Sequence, residues 1–445
     1  MALDQQSASI HGSDLAASVV AEHWDVRDGG LEVEGHLLTD LVAAHGSPLY
    51  VYSAARMRSR LQQLRTALGA RFDVFFSVKA NPNPAILKLF VAEGTGLEIA
   101  SAAEYIRARK AGAEPQRILF AGPGKTYEEL DYVIENGIGE IHIESFEEID
   151  RLAELTQKHG VTLNVSIRVN PAAEAQGGAM RMGGGPAAFG LDESLMEQVV
   201  PLIQAVPSLN LHGLHLFAGT QILNAETLIT QWSHGLQIAK RLIGLGVELK
   251  TLDFGGGLGV PYVASDKRLD LDQVATGVVA LLDKIDQDAE LAPLNLMVEP
   301  GRFLAGPGGL YAARVTSVKE SYGEIFAITD GGMHHHLAAS GNLGQVLKKD
   351  YPVVLANRLN ESGDTPQKVV GPLCTPLDTY GRKTVLPRPN VGDVMAILQS
   401  GAYGLSASPV GFLSHAMPAE ILVDGDSVTV IRPKGTFENP LTQLP

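Results

Sequence analysis

Cysteine is nearly absent from this chain: 445 residues contain one, Cys374. A lone thiol cannot close an internal disulfide, which excludes a disulfide-stapled secreted scaffold. Cys374 is then either a buried filler or a reactive thiol in a reducing compartment. A basic excess is absent too. Lys and Arg number 35 against 50 Asp and Glu, and a formal net charge of -15 argues against non-specific binding to nucleic acid or anionic membrane. No apolar run approaches the roughly 20 residues that span a bilayer. Met1–Asp14 lacks the basic start and apolar core of a secretory signal. A soluble cytoplasmic protein is expected. What is present fits a compact fold: 45% hydrophobic and 19% charged residues leave no case for disorder, and the length exceeds one ordinary core, so two domains are expected.

Between Phe72 and Glu299 short apolar runs alternate with amphipathic stretches. The runs are Phe72–Val78, Gly96–Ala100, Arg117–Ala121, Glu140–Ile143, Asn164–Val169, Leu211–Phe217, Leu249–Phe254 and Leu294–Glu299, each rich in Ile, Val, Leu or Phe as strands buried on both faces are. Pro84–Glu93, Ala102–Ala111, Tyr127–Asn136, Phe146–His159 and Leu271–Ala289 read as the intervening helices, with Ser101 and Glu104 in capping-box spacing. Eight strands alternating with helices predict a (β/α)8 TIM-like barrel, and the count favours it over a doubly wound sheet. Asn170–Gly190, which contains Gly183-Gly184-Gly185, breaks the rhythm as either a long loop on the catalytic face or a surface insertion. Beyond Arg302 the runs Tyr311–Glu320, Glu324–Asp330, Lys368–Leu373, Asp393–Gln399 and Ala419–Pro433 read as strands, the last broken by a Gly425-Asp426 hairpin turn. The expected division is a barrel over 48–304 and a mainly β, sandwich- or barrel-like domain from 1–47 with 305–445 that completes the active site.

Active sites of barrels lie past the C-terminal ends of the strands. Lys79 closes the first apolar run. Desolvation there would lower its pKa and free the amine for covalent chemistry with a carbonyl, although position alone favours a lysine snorkelling from the strand end to water. Gly255-Gly256-Gly257-Leu258-Gly259 follows the seventh run, where barrels often hold a phosphate against backbone N–H groups. Glu299-Pro300-Gly301-Arg302 follows the eighth. Its carboxylate suits a protonated pyridine nitrogen and its guanidinium an anion, while a salt-bridged turn would look the same. His334-His335-His336 reads as a polar loop, a substrate contact or, less readily, a metal site, because neighbours on an extended chain point to alternate sides. No metal is expected.

Val78-Lys79-Ala80-Asn81, the 213–221 stretch GLHLFAGTQ, the 253–257 stretch DFGGG, Glu299-Pro300-Gly301-Arg302, the 371–378 stretch GPLCTPLD and Gly401-Ala402-Tyr403-Gly404 occur in that order. Together they resemble diaminopimelate decarboxylase and its ornithine and arginine decarboxylase relatives, the alanine-racemase-like, fold type III pyridoxal-phosphate enzymes, from Pro48 to Asp424. The resemblance implies a decarboxylase with pyridoxal 5'-phosphate as cofactor. It implies that Lys79 carries the cofactor and helps return the proton, and that Glu299 binds the pyridine nitrogen. Gly255, Gly256, Gly257, Thr220 and Tyr403 then surround the phosphate with Arg302 close by, and Glu98 stands near the cofactor. Cys374 would reach the site from the partner of a head-to-tail homodimer as proton donor, with Asp378 in the same motif.

The departures from the family concern the substrate. Thr375 stands where the relatives place a carboxylate for a distal amine. Ala338 and Asn342 replace an arginine and a tyrosine that grip a distal carboxylate, and His415 and Met417 stand where arginines are usual. Phe217 replaces the histidine that stacks on the cofactor ring; a phenyl ring still stacks but donates no hydrogen bond. An unpaired buried ammonium is expensive, so free diaminopimelate, ornithine and lysine are disfavoured. The branch resembled is the one that decarboxylates a carrier-protein-bound aminoacyl group or another masked amino acid. The alternatives are a diaminopimelate decarboxylase, a racemase, which Cys374 in its motif speaks against, and a catalytically silent regulatory homologue, which the retained Lys79 speaks against.

Overall fold

The computed structural model of the protein describes residues 12–172, 180–181, 185–216, 219–343 and 349–442. One compact unit comprises residues 58–260 and 268–304, and the remainder forms the other.

The first unit is the expected barrel. Its strands are β1 (Phe72–Ser77), β2 (Gly96–Ile99), β3 (Ile118–Phe120), β4 (Glu140–Ile143), β5 (Leu163–Asn170), β6 (Leu209–Leu216), β7 (Thr251–Asp253) and β8 (Asn295–Val298). Each pairs in parallel with the next, and β8 returns to β1 through Leu296↔Phe72, which closes the sheet. Burial on both faces explains the near-continuous apolar runs: β2, β3 and β4 have no exposed residue. Capping residues set where the helices begin. Asn83, Ser101, Thr126, Ser145, Asn224 and Asp270 each accept a backbone N–H from the first turn of the helix that follows. The Ser101 box is only half formed, because Glu104 reaches back to the Ala100 N–H (2.7 Å) instead of closing on Ser101. The complete box lies at Thr126 and Glu129.

The second unit is mainly β. Its principal sheet runs Thr379–Leu386, Thr365–Val370, Glu324–Thr329, Gly309–Ser321, Leu49–Ser53, Ala419–Asp424, Ser427–Arg432. Val394–Ile397 pairs with Gly309–Ser321 and Val353–Leu355. Helices Asp14–His23 and Leu38–His45 bury Val19, Val20, Leu41 and Val42 in one core with Leu49, Leu310, Ala396 and Ile421. That core ties the N-terminal segment to this unit. The boundary expected at residue 48 moves to 57, since the wholly buried strand Leu49–Ser53 pairs with Gly309–Ser321 and Ala419–Asp424. Residues 261–267 also belong here. Thr379–Leu386 and Val353–Leu355 are strands that the apolar pattern did not announce.

Candidate active site

Lys79 sits in a single 3-10 turn, Val78–Ala80, directly after β1. Its Nζ lies 3.1 Å from both carboxylate oxygens of Glu98 on β2, and Ser77 Oγ donates to the same carboxylate. Glu98 is 1% exposed but the lysine side chain is 43% exposed. Desolvation, expected from the end of an apolar run, is therefore not what holds the amine. A buried carboxylate presents it at the C-terminal face.

After β7 the backbone of Gly255 and Gly257 has φ of +68 and +93°, conformations that glycine adopts without strain. A Cβ on Gly257 would lie 2.7 Å from the Gly219 carbonyl oxygen. The loop is stitched to the one after β6 by Ile222 N–H to Gly257 O (2.8 Å) and Gly259 N–H to Ile222 O (2.9 Å). Gly219–Thr220 pairs in turn with Met180–Arg181 of the segment after β5. Thr220 and the glycines thus lie on two stitched loops at the C-terminal ends of β6 and β7. Phe217, Gly183 and Gly184 lie outside the described residues.

Glu299, just past β8, is buried and accepts from His215 Nε2 on β6 at 3.1 Å, while its Oε1 accepts from no N–H or hydroxyl among the described residues. The His142 ring on β4 lies 4.2 Å from that of His215. Burial pushes His215 down to about 4, against the pull of Glu299, so its imidazole is neutral. Burial alone would raise the Glu299 carboxyl, but the hydrogen bond from His215 and the Lys79 charge work against it and hold it below the usual carboxylate range. Asp253, at the end of β7, is pushed well up by burial and by the Glu299 charge. Of the two buried carboxyl groups, Asp253 carries the proton and Glu299 the charge. His142, His215 and Glu299 also bring three donor atoms within 4.8 Å of one another, the one grouping of metal-ligand type among the described residues. Arg302 begins the short helix Arg302–Ala305 beside Glu299 in the chain.

His215, His142, Asp253 and Arg168 were not singled out in the sequence, although polar residues inside doubly buried strand runs were a visible signal. Arg168 Nη1 donates to Glu144 at 2.7 Å, and Glu144 also accepts the Gly190 N–H at 3.0 Å, which anchors the end of the segment following β5.

The remaining predicted residues lie in the β unit. Cys374 is exposed. Asp378 is buried, and its oxygens accept the N–H groups of Met333 (2.6 Å) and Leu373 (2.9 Å). It braces the loop bearing Cys374 and Thr375, and a Cβ on Gly332 or Gly371 would overlap its carboxylate. Ala338 is buried, and Asn342 donates to Ser340 Oγ (2.6 Å) and Leu377 O (3.1 Å). The His415 ring lies 4.8 Å from that of His334. Tyr403 follows Gly401-Ala402 with φ +52°. His334-His335-His336 is not a polar surface loop, as all three rings are buried. The His334 and His335 rings lie 3.7 Å apart with His415 beside His334, His335 also meets Tyr311 OH (3.1 Å), and only His336 turns away, to Ser400 Oγ (3.0 Å).

The family model for the pyridoxal-dependent decarboxylase, pyridoxal binding domain, matches residues 54–306. An L-glutamyl-[BtrI acyl-carrier protein] decarboxylase from Niallia circulans is 36% identical over 92% of this chain and 96% of its own length. The diaminopimelate decarboxylase of Methanothermobacter thermautotrophicus is 33% identical over 92% and 95%. A crystal structure of diaminopimelate decarboxylase from M. jannaschii in complex with L-lysine superposes with a TM-score of 0.85 at 26% identity, covering 94% of this chain and 96% of that one. A barrel with a lysine after its first strand, a glycine cradle after its seventh and a buried carboxylate after its eighth is thus the scaffold of a pyridoxal-phosphate enzyme. The chain belongs to the pyridoxal-dependent decarboxylases, carboxy-lyases of amino-acid metabolism. The residues fit the cofactor on two counts: the Gly257 cradle has no room for a side chain, and Glu299 Oε1 is a buried acceptor in want of a donor. When bound, pyridoxal phosphate accepts the electron pair left on Cα as carbon dioxide departs.

Proposed function

We propose that this enzyme decarboxylates an aminoacyl group whose far end carries no charge, as when it is held in thioester or amide linkage on a carrier protein. The observation that carries this reading is the neutrality of one loop cluster. Thr375, Ala338 and Asn342 come from stretches that pack together in the β unit, joined by Asn342 to Leu377 O and Asp378 to Met333 N–H. Where the relatives hold a distal ammonium or carboxylate, these side chains offer no formal charge, and the Asn342 amide is already engaged. The Niallia relative's named substrate, a glutamyl group on an acyl-carrier protein, agrees with this chemistry.

In this reading Lys79 holds the cofactor, and Glu98 keeps the amine in place. Thr220 and Gly255, Gly256 and Gly257 seat the phosphate with Arg302 and Tyr403, and Phe217 covers the ring. Glu299 keeps a charge against the pyridine nitrogen. Cys374 returns a proton to Cα in a homodimer that shares its active sites. An exposed thiol on a loop with exposed Leu377, and exposed apolar Phe412 and Leu413 in the same unit, support such an interface. The enzyme acts in the cytoplasm. No helix among the described residues is long and apolar enough to cross a membrane.

The test compares carbon dioxide release from free meso-diaminopimelate with release from glutamyl-loaded acyl-carrier protein. Turnover of the loaded carrier with little or none of the free diamino acid is expected. Robust turnover of free diaminopimelate would overturn the reading of Thr375, Ala338 and Asn342.

A further inference from the structure

We propose that His215 is a positioning residue, whose imidazole clamps one oxygen of the Glu299 carboxylate and so aims the other at the pyridine nitrogen of the cofactor. Oε2 of Glu299 is the oxygen facing His215 Nε2, at 3.1 Å. A carboxylate only accepts, so the proton on this bond belongs to Nε2, and His215 is the Nε2–H tautomer. The other oxygen, Oε1, is buried and accepts from no N–H or hydroxyl among the described residues. One oxygen is tied and one is offered.

The surroundings suit a neutral clamp. His215 faces Glu299 from β8, His142 from β4, Arg168 from β5 and Asp253 from β7. A further cation beside Arg168 is disfavoured in so buried a place, and a neutral imidazole leaves the Glu299 charge uncancelled. Were His215 an imidazolium, the pair would be electrically neutral and the pull of Glu299 on a ring proton would be lost. Asp253 is already hydrogen-bonded to the Glu299 carboxylate, and the His215 bond to Oε2 keeps that carboxylate, which has rotatable bonds of its own, from turning wholly to Asp253. A histidine supplies direction at this position without charge; a lysine or an arginine would not.

The inference concerns the cofactor and rests on Glu299 facing the pyridine ring, not on the identity of the amino acid. Its test is read first on holoenzyme without substrate, as the pH titration of the visible band of the bound cofactor and the dissociation constant of pyridoxal phosphate. His215→Leu removes the donor, His215→Gln keeps a neutral N–H at similar reach, and Glu299→Gln removes the charge itself. His215→Leu is expected to displace the titration of the band, to weaken cofactor binding and to lower kcat by about tenfold or more, the effect of losing a hydrogen bond to a charged group, with KM little changed. His215→Gln is expected to recover most of each effect. A wild-type band titration and kcat in a folded His215→Leu holoenzyme would overturn the proposal. So would a His215→Gln variant that folds and binds the cofactor but is as impaired as His215→Leu. If Glu299→Gln leaves the band titration unaltered, the placement of Glu299 fails; if it shifts the band and His215→Leu does not, only the clamp fails.

Discussion

Replacing Gly257 by alanine should separate the glycine loop from its neighbour and be felt mainly as lost cofactor affinity. The residue has φ +93°, and an added Cβ would sit 2.7 Å from the backbone oxygen of Gly219. Carbon contacts prefer about 3.5–4.0 Å, and a backbone oxygen cannot rotate away as a side chain can. The loops must therefore part. Parting strains the Ile222 N–H to Gly257 O bond of 2.8 Å and its companion from Gly259 to Ile222 O. A non-glycine residue held at such a φ costs about 1–3 kcal/mol, and one weakened neutral hydrogen bond adds about 0.5–1.5 kcal/mol. Expressed in binding, a total of about 2–4 kcal/mol is a roughly 30- to 1000-fold rise in the dissociation constant of pyridoxal phosphate. The measurement is a fluorescence titration of apoprotein with the cofactor, beside a melting curve of the apoprotein. Gly246→Ala is the control: it too has positive φ, +86°, but an added Cβ meets nothing within 4 Å. It should lower stability without a matching loss of affinity. Cofactor affinity within a few-fold of wild type in Gly257→Ala, with unchanged melting, would refute the cradle.

Two further outcomes follow from buried charge. Lys125 donates to Glu148 (2.6 Å), Gly122 O (2.8 Å) and His142 O (2.7 Å) with both side chains essentially buried. Lys125→Met strands the Glu148 carboxylate and should cost about 3–5 kcal/mol of stability, of which Lys125→Met with Glu148→Met recovers a large part; a single variant as stable as wild type in urea contradicts this. In the β unit burial lowers His334 to about 4 and His336 to about 3, below the unfolded value of about 6.5. The unfolded chain then binds more protons between those values, so this contribution to stability is complete above about pH 6.5 and is lost as pH falls below it, at about 1.4 kcal/mol per pH unit per histidine. Urea unfolding followed between about pH 6.5 and pH 5, above the carboxylate range, should show that slope, and His336→Gln should reduce it; an unchanged slope in that variant would count against a neutral buried His336.

How far the sequence reached differs from element to element. Each of the eight barrel strands lies within a residue or two of its expected run, because a strand buried on both faces must be apolar throughout and capped helices must separate such strands. Leu49–Ser53 is just as apolar, yet it belongs to the other unit. Local pattern reports burial but not partners, and its partners lie near residues 310 and 420. Lys79, the glycine run and Glu299 were legible because barrels build sites at strand ends, and the family motifs named their neighbours.

The chemistry between those residues was not legible. That Lys79 is held by Glu98 and not by desolvation depends on how far a side chain stands out of a strand end, which no periodicity records. His215 and Glu299 meet across 84 positions of sequence. The sequence alone determined the barrel and the cofactor class, since these follow from residue type at recurring local positions. Only the tertiary structure decided which buried carboxyl keeps its charge and which histidine faces it. Those depend on distance and burial, and closure of the barrel creates both.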